Sequence, residues 1–318
     1  MSTRRRIVVS TRSFGSGNLD PQRLLEAAGF DVDRIATTHE LDQVFDALAG
    51  ADGWIAGTAP ITVKHLEAAP RLRIIARYGV GVDSIDLAAA TARGVAVTNT
   101  PGANSESVAD HALGLCLAAL RGIVAGDRAV RDGHWSRPPG RELGACRVGV
   151  VGYGAIGRAV RRRLAGFGSE VVAHDPYLDD ADVPLLSLEE LVATCDIVTL
   201  HAPGRGRPLV DAELLTHFRP HALLVNTARG DLLDEEAVAK ALHDGRIGGC
   251  ALDVLASELG HGPSELLDAP RVILTPHVAG QTVQAIDRMG MAAATDCIRF
   301  LAEGVAPHFP IVPQEASP

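Results

Sequence analysis

The stretch Val148-Gly149-Val150-Val151-Gly152-Tyr153-Gly154-Ala155-Ile156-Gly157 decides how the rest of this chain is read. Its first four residues read as a buried strand. A glycine-x-glycine-x-x-glycine turn follows, then Arg158 to Phe167 with helical spacing, then a second strand, Glu170-Val171-Val172-Ala173. In that setting each glycine has a task. Gly152 permits the tight turn, Gly154 lets the backbone approach a pyrophosphate, and Gly157 allows close helix–strand packing, with the helix N-terminus aimed at the phosphates. Asp175 ends the second strand, 18 residues after Gly157. Its carboxylate suits the hydroxyls of an adenosine ribose and repels a 2′-phosphate, so NAD is expected ahead of NADP.

Outward from this unit, short aliphatic runs alternate with longer helix-spaced segments. The strand candidates are Arg6–Ser10, Gly53–Ala56, Arg73–Ala76, Val95–Val97, Arg147–Val151, Glu170–Ala173, Ile197–Leu200, Ala222–Asn226, Gly249–Leu252 and Val272–Leu274. Most are apolar on both faces, as parallel strands covered by helices must be, and the alternation predicts an α/β protein of doubly wound parallel sheets. At 318 residues there is room for about two domains. Ser105 to Ala129 reads as one long helix or two nearly continuous ones. Its apolar residues, among them Leu113, Leu117, Ile123 and Val124, spread too widely for a single buried stripe. Such a helix needs partners on several sides, between two domains or also in a homodimer. Pro310 to Pro318 is expected to be a frayed tail.

Composition narrows the classes. With 47% hydrophobic and 22% charged residues the chain is globular, not disordered, collagenous or a disulfide scaffold. A net charge of −9 disfavours bulk attraction to nucleic acid or to an anionic membrane. Cys116, Cys146, Cys195, Cys250 and Cys297 are far apart and form no metal-type spacing, so no metal is expected and a reducing cytoplasm fits best. After the basic Met1 to Arg6 the apolar stretch is only Ile7-Val8-Val9, so no export signal is expected. Val108 to Leu120 is too short to span a bilayer.

Several chemistry-bearing residues follow strand candidates: Asn226-Thr227-Ala228-Arg229-Gly230, Asp253 with Glu258 shortly after it, and Thr275-Pro276-His277. Strand ends in doubly wound sheets face the ligand crevice, so Arg229, Glu258 and His277 are expected to converge. Together with Tyr78-Gly79-Val80-Gly81-Val82-Asp83, Ser107-Val108-Ala109-Asp110-His111 and Thr275-Pro276-His277-Val278-Ala279-Gly280, they make the chain resemble the D-isomer-specific 2-hydroxyacid dehydrogenase family, and within it the D-3-phosphoglycerate dehydrogenases.

That resemblance implies a Rossmann NAD-binding domain over residues 103–284, inserted into a flavodoxin-like substrate domain of residues 1–102 and 285–318, with a crevice that closes on substrate. It implies Arg229, Glu258 and His277 as the catalytic set. It also implies Val80 and Gly81 as backbone donors to a substrate carboxylate, and cofactor contacts at Ala155, Ile156, His201, Pro203, Thr227, Ala228 and Asp253 beside the three glycines and Asp175. The chemistry wants these residue types. Hydride attack on a 2-keto acid leaves charge on the former carbonyl oxygen, which imidazole can protonate because it titrates near working pH. Glu258 would orient the His277 ring, and Arg229 would hold the carboxylate and polarise the carbonyl. The Asp110-His111 pair is expected at a domain or subunit boundary. The expected ligand is a small anionic 2-hydroxy or 2-keto acid, with no nucleic-acid or membrane partner.

Three departures from the family pattern stand out. Gly204-Arg205-Gly206-Arg207 replaces a Thr-containing loop and places guanidinium groups where they could meet a phosphate. Leu259 follows Glu258 where proline is usual. Ala56-Gly57-Thr58 stands where phosphoglycerate-oxidising relatives carry an Arg-Ser pair. Two other readings use the same scaffold: oxidation of an oxyanion such as phosphite, and an NAD-sensing interaction protein like the NAD-binding corepressors. The lack of long disordered extensions counts against the second.

Overall fold

The computed structural model describes residues 4–204, 206–257 and 264–311. The chain divides into two compact units, residues 1–104 with 281–318, and residues 105–280.

In the first unit, parallel strands β1 (Arg5–Val9), β2 (Phe30–Arg34), β3 (Gly53–Ala56), β4 (Ile74–Arg77) and β5 (Ala96–Thr98) lie in the order β2-β1-β3-β4-β5. Alternate residues serve opposite faces. Ile7 and Val9 join one core with Ile55, Ile74 and Ala76, whereas Val8 joins another with Trp54, Ala56 and Ile75. Helix α1 (Pro21–Ala27) sends Leu25 into the first of these cores. Helices α2 (Leu41–Ala49), α3 (Val63–Ala68) and α4 (Leu87–Ala92) send Val44, Leu48, Leu66 and Ala90 into the second.

Ten of the strands fall on the expected runs, shifted by at most one residue. β2 was not among them. Phe30-Asp31-Val32-Asp33-Arg34 alternates instead of running apolar, because it is an edge strand, and Asp31 and Asp33 pair with Arg4 and Arg6 at 3.8 and 3.2 Å.

The second unit opens with α5 (Ser105–Leu120) and α6 (Ile123–Arg131), so of the two expected arrangements the pair of helices is the one found, bent by 57°. The break is Gly122, whose φ of +58° is left-handed. Many α5 residues are buried, but none of α6 is. No single helix among the described residues is long and apolar enough to cross a membrane. Parallel strands β6 (Arg147–Val151), β7 (Glu170–His174), β8 (Ile197–Leu200), β9 (Leu223–Asn226), β10 (Gly249–Leu252) and β11 (Val272–Leu274) follow, in the order β11-β10-β9-β8-β6-β7. A further position beyond β7 survives as a single bridge: Leu185 pairs with Ala173, flanked by two 2.9 Å backbone bonds. With it the order is that of a doubly wound dinucleotide-binding sheet, reversing between β6 and β8.

α5 and α7 (Ala155–Ala165) cover one face of this sheet through Ala112, Leu115, Cys116, Val160 and Leu164. α8 (Leu188–Thr194), α9 (Ala212–Leu215) and α10 (Glu235–His243) cover the other through Leu191, Leu214, Val238 and Leu242. The chain then returns to the first unit as α11 (Val283–Ile298), which buries Ala285, Met289, Ala293 and Cys297 beside Ile7 and Val9. Pro310 bridges Thr98, and Ile311 N–H donates to Val97 O at 2.8 Å. The segment expected to fray therefore starts by pairing antiparallel beside β5; residues 312–318 lie outside the described ones.

Candidate active site

β6 runs straight into the glycine turn. Gly152 has φ +89°, and a Cβ there would stand 2.7 Å from the backbone of His201 and Ala202. A Cβ on Gly157 would stand 2.3 Å from Gly152 O, whereas one on Gly154 would meet open space. Protein packing therefore demands the outer two glycines, and the middle one leaves room for something else. α7 starts at Ala155 with no side-chain cap on Gly154, so the first-turn N–H groups of Ala155 and Ile156 belong to an uncapped, electropositive helix end. Asp175, just past β7, is tied to the turn: Tyr153 N–H donates to its Oδ2 at 2.9 Å and Tyr177 N–H to its Oδ1 at 3.1 Å. Tyr153 is buried, donates its hydroxyl to Asp182 at 2.6 Å and carries the Arg158 guanidinium 4.8 Å from its ring centre. Nothing in the sequence signals that role beyond its place between two glycines.

Just past β8 and β9 lie two buried polar atoms with no hydrogen-bond partner among the described residues, His201 Nδ1 and Thr227 Oγ1. They follow the registered pair Leu200 and Asn226. His201 Nε2 meets Thr199 Oγ1 at 2.9 Å, and burial pushes the ring's pKa down to about 3, so it is neutral. Buried polar atoms are rarely left without a partner. These two, the open side of Gly154 and the Asp175 carboxylate all fit a dinucleotide. Ala228 is buried and Pro203 exposed on the same strand ends.

Asn226, fully buried, folds the next turn: its Oδ1 accepts Ala228 N–H at 2.9 Å and its Nδ2 donates to Arg229 O at 2.7 Å. Arg229 Nη1 donates to Ala228 O at 2.7 Å. A Cβ on Gly230 would lie 2.0 Å from the Leu255 carbonyl, so glycine is what lets the Arg229 turn lie against residues 255–256.

Asp253, at the end of β10, organises the loop after β11. Its side chain is fully buried, and its carboxylate accepts Thr275 Oγ1 at 2.5 Å, Val278 N–H at 3.0 Å and Ala279 N–H at 2.8 Å. Its carbonyl accepts His277 N–H at 2.9 Å. Burial alone would raise the Asp253 carboxyl, but hydrogen bonds involving His111, Thr275, Ala279 and Val278 outweigh it and hold the pKa below the usual carboxylate value. His277 has φ +51°, a backbone state that costs a non-glycine residue about 1–3 kcal/mol and persists only where its surroundings impose it. His111 reaches this same loop, with Nε2 2.9 Å from Thr275 Oγ1 and 3.4 Å from Asp253 Oδ1. Its neighbour Asp110 turns to Arg163 at 2.5 Å.

Glu258 and Arg205 lie outside the described residues. The segment that contains Glu258 is flanked by one clamp: Glu235 Oε1 accepts Ala256 N–H and Oε2 accepts the Ser264 hydroxyl, both at 2.6 Å. Arg207 is exposed, on a loop tied by Gly206 N–H to Asp231 Oδ2 at 3.0 Å.

Val80 and Gly81 belong to the first unit, Arg229 and His277 to the second. In the turn after β4 the carbonyls are tied back: Gly79 O accepts Thr100 N–H at 2.9 Å and Val80 O accepts Asn99 Nδ2 at 2.7 Å. A trans peptide points its N–H opposite its C=O, so the Val80 and Gly81 N–H groups turn away from those partners.

Residues 113–279 match the NAD-binding domain of the D-isomer-specific 2-hydroxyacid dehydrogenases. The chain belongs to that family. It is 41% identical over 273 residues to a D-3-phosphoglycerate dehydrogenase of Mycobacterium tuberculosis, covering 83% of this chain and 51% of that protein, so it spans about half the length of that relative. It is 38% identical over 264 residues to a glyoxylate reductase of Korarchaeum cryptofilum, covering 79% of this chain and 80% of the relative. Among solved structures, an NADPH-dependent glyoxylate/hydroxypyruvate reductase from Sinorhizobium meliloti, in complex with NADP and malonate, superposes with a TM-score of 0.83 at 31% identity, covering 98% of this chain and 97% of that one.

Proposed function

We propose that the protein is an oxidoreductase that uses NAD to interconvert a small D-2-hydroxy acid and its 2-keto acid. The observation that carries this reading is one sheet edge in the second unit. There the glycine turn with Asp175, the Arg229 turn and the constrained His277 loop follow the C-terminal ends of β6, β7, β9 and β11. A nicotinamide cofactor held at the glycine turn would supply the hydride donor or acceptor. Arg229 pairs with the substrate carboxylate and polarises its carbonyl. His277 exchanges the proton on the substrate oxygen, with Glu258 orienting its ring. Val80 and Gly81 offer N–H groups to the carboxylate. Asp175 favours NAD, because its carboxylate repels a 2′-phosphate.

The test is an NADH-coupled assay over glyoxylate, hydroxypyruvate, phosphohydroxypyruvate and branched 2-keto acids, run in parallel with NADPH. The relatives' names, D-3-phosphoglycerate dehydrogenase and glyoxylate reductase, support that choice of panel. Turnover of at least one acid with NADH preferred is expected; no turnover with either cofactor would overturn the reading. We also propose a cytoplasmic homodimer. All five cysteines are free and buried, and Ile123, Val124, Val130 and Trp135, on and after α6, are more than half exposed, an apolar face suited to a second copy. Light scattering should return twice the chain mass, and a monomer would refute the dimer.

A further inference from the structure

We propose that His111 is a positioning residue for His277, acting through Thr275 and Asp253; this rests on the reading of His277 as the proton carrier. The connection is made of five contacts within the second unit. His111, on α5, places Nε2 2.9 Å from Thr275 Oγ1. Thr275 Oγ1 is 2.5 Å from Asp253 Oδ1. The two Asp253 carboxylate oxygens take the N–H groups of Val278 and Ala279, and the Asp253 carbonyl takes that of His277. Asp253 thus holds the two N–H groups after the left-handed His277 and shares the His277 N–H with Thr275 O, at 2.9 and 3.0 Å.

Proton bookkeeping gives the direction of the contacts. An ionised carboxylate only accepts, and Asp253 already takes two backbone donors. Thr275 has one hydroxyl proton, and its other acceptor, Leu252 O, is 3.5 Å away against 2.5 Å for Asp253. The Thr275 proton therefore belongs to Asp253, and the hydroxyl oxygen must accept from His111. That places a proton on His111 Nε2. Without this donor the Thr275 hydroxyl is free to rotate toward Leu252 O, Asp253 loses a ligand, and the loop around His277 has one constraint fewer.

Four variants test it: His111→Ala, His111→Gln, Thr275→Val, and Thr275→Val combined with His111→Ala. A misplacement of about 1 Å can cost about 10²-fold in rate, so His111→Ala should lower kcat by about 10–100-fold. The KM for NADH should change much less than kcat, because the glycine turn, Asp175, His201 and Thr227 are untouched and Asp253 keeps both its backbone donors. A glutamine amide reaches the position of Nε2 and donates, so His111→Gln should recover most of the turnover. The double variant should be no worse than the poorer single one, since both cut the same chain of contacts. Full kcat in His111→Ala, a glutamine variant as slow as alanine, or additive losses in the double variant would each overturn the proposal.

One readout needs neither catalysis nor the alanine variant. Imidazole ¹H–¹⁵N spectra of the wild type should show His111 protonated on Nε2, with that signal shifted in Thr275→Val. A proton found only on Nδ1 would overturn the brace even if the keto-acid assay succeeds. An assay that fails on every acid, with the Nε2 signal present, would overturn the proposed reaction instead.

Discussion

Asp253 and Asp196 stand at opposite edges of the same sheet, and both are buried carboxylates with several partners. Asp196, just before β8, accepts Arg147 N–H at 2.9 Å and lies 3.1 Å from Arg141, 3.2 Å from Arg219 and 2.8 Å from His221. A cavity of about 520 Å³ opens beside it, lined by Arg147, Glu170, Thr194 and Arg219. A cluster of charges and a cavity therefore stand together at the N-terminal edge. Yet each guanidinium there already faces a carboxylate, with Arg147 taking Glu170 at 3.1 Å. The carboxylate ties the start of β6 to the segments that lead into β6 and β9. At the C-terminal edge Asp253 spends its hydrogen bonds on a loop, and neutral polar atoms nearby are left over. The contrast teaches that a buried carboxylate that builds a loop, with neutral polar atoms left unmatched beside it, marks the chemistry better than a cavity or a cluster of charges.

The comparison breaks most readily at His277. Replacing it with alanine should lower kcat by about 10²–10⁴-fold, the usual worth of a general acid–base group. NADH binding, followed by the quenching of Trp fluorescence, should persist, because the glycine turn and Asp175 are separate from the loop. Unchanged turnover would remove the C-terminal edge from consideration.

A second variant pair sharpens what that edge is built for. Gly157→Ala puts a Cβ 2.3 Å from Gly152 O, so the backbone must move, and overpacking of this kind costs about 1–3 kcal/mol. Gly154→Ala has φ −77° and open space. It should leave urea unfolding unchanged and weaken only NADH binding. If both destabilise the protein equally, the middle glycine serves packing and not a ligand.

The strands with two buried faces were legible because a run such as Ile197-Val198-Thr199-Leu200 has no second meaning at that length. β2 was not, since its polar alternation exists only because it lies at an edge. The glycine turn and the residue types at the strand ends were legible for a similar reason: each sits in a local strand–turn context. The brace behind His277 was hidden because His111 and Thr275 are 164 positions apart and a lone histidine in an apolar helix has no spacing to betray it. The turn-building role of Asn226 and the clamp made by Glu235 were hidden in the same way. Each residue looks like an ordinary strand end or helix start until its side chain is seen bonding a turn or clamping two flanks.

The smallest effect on turnover belongs to Asp196, and it tests the other half of the contrast. Burial opposes its ionisation, yet the Arg147 N–H, His221 and Arg141 outweigh burial and hold its pKa down to about 2. An unfolded aspartate titrates near about 3.9, so the folded state binds this proton less readily than the unfolded one. The resulting stability is fully present above the unfolded value and is lost as pH falls from about 4 through about 2; it amounts to about 2–3 kcal/mol. Asp196→Asn should therefore lower unfolding free energy by about that much at pH 7 while leaving kcat unchanged. In urea titrations the gap between wild type and variant should begin to close once pH drops below about 4. A variant that kept its stability but lost turnover would place chemistry at the N-terminal edge, and the distinction between the two aspartates would fail.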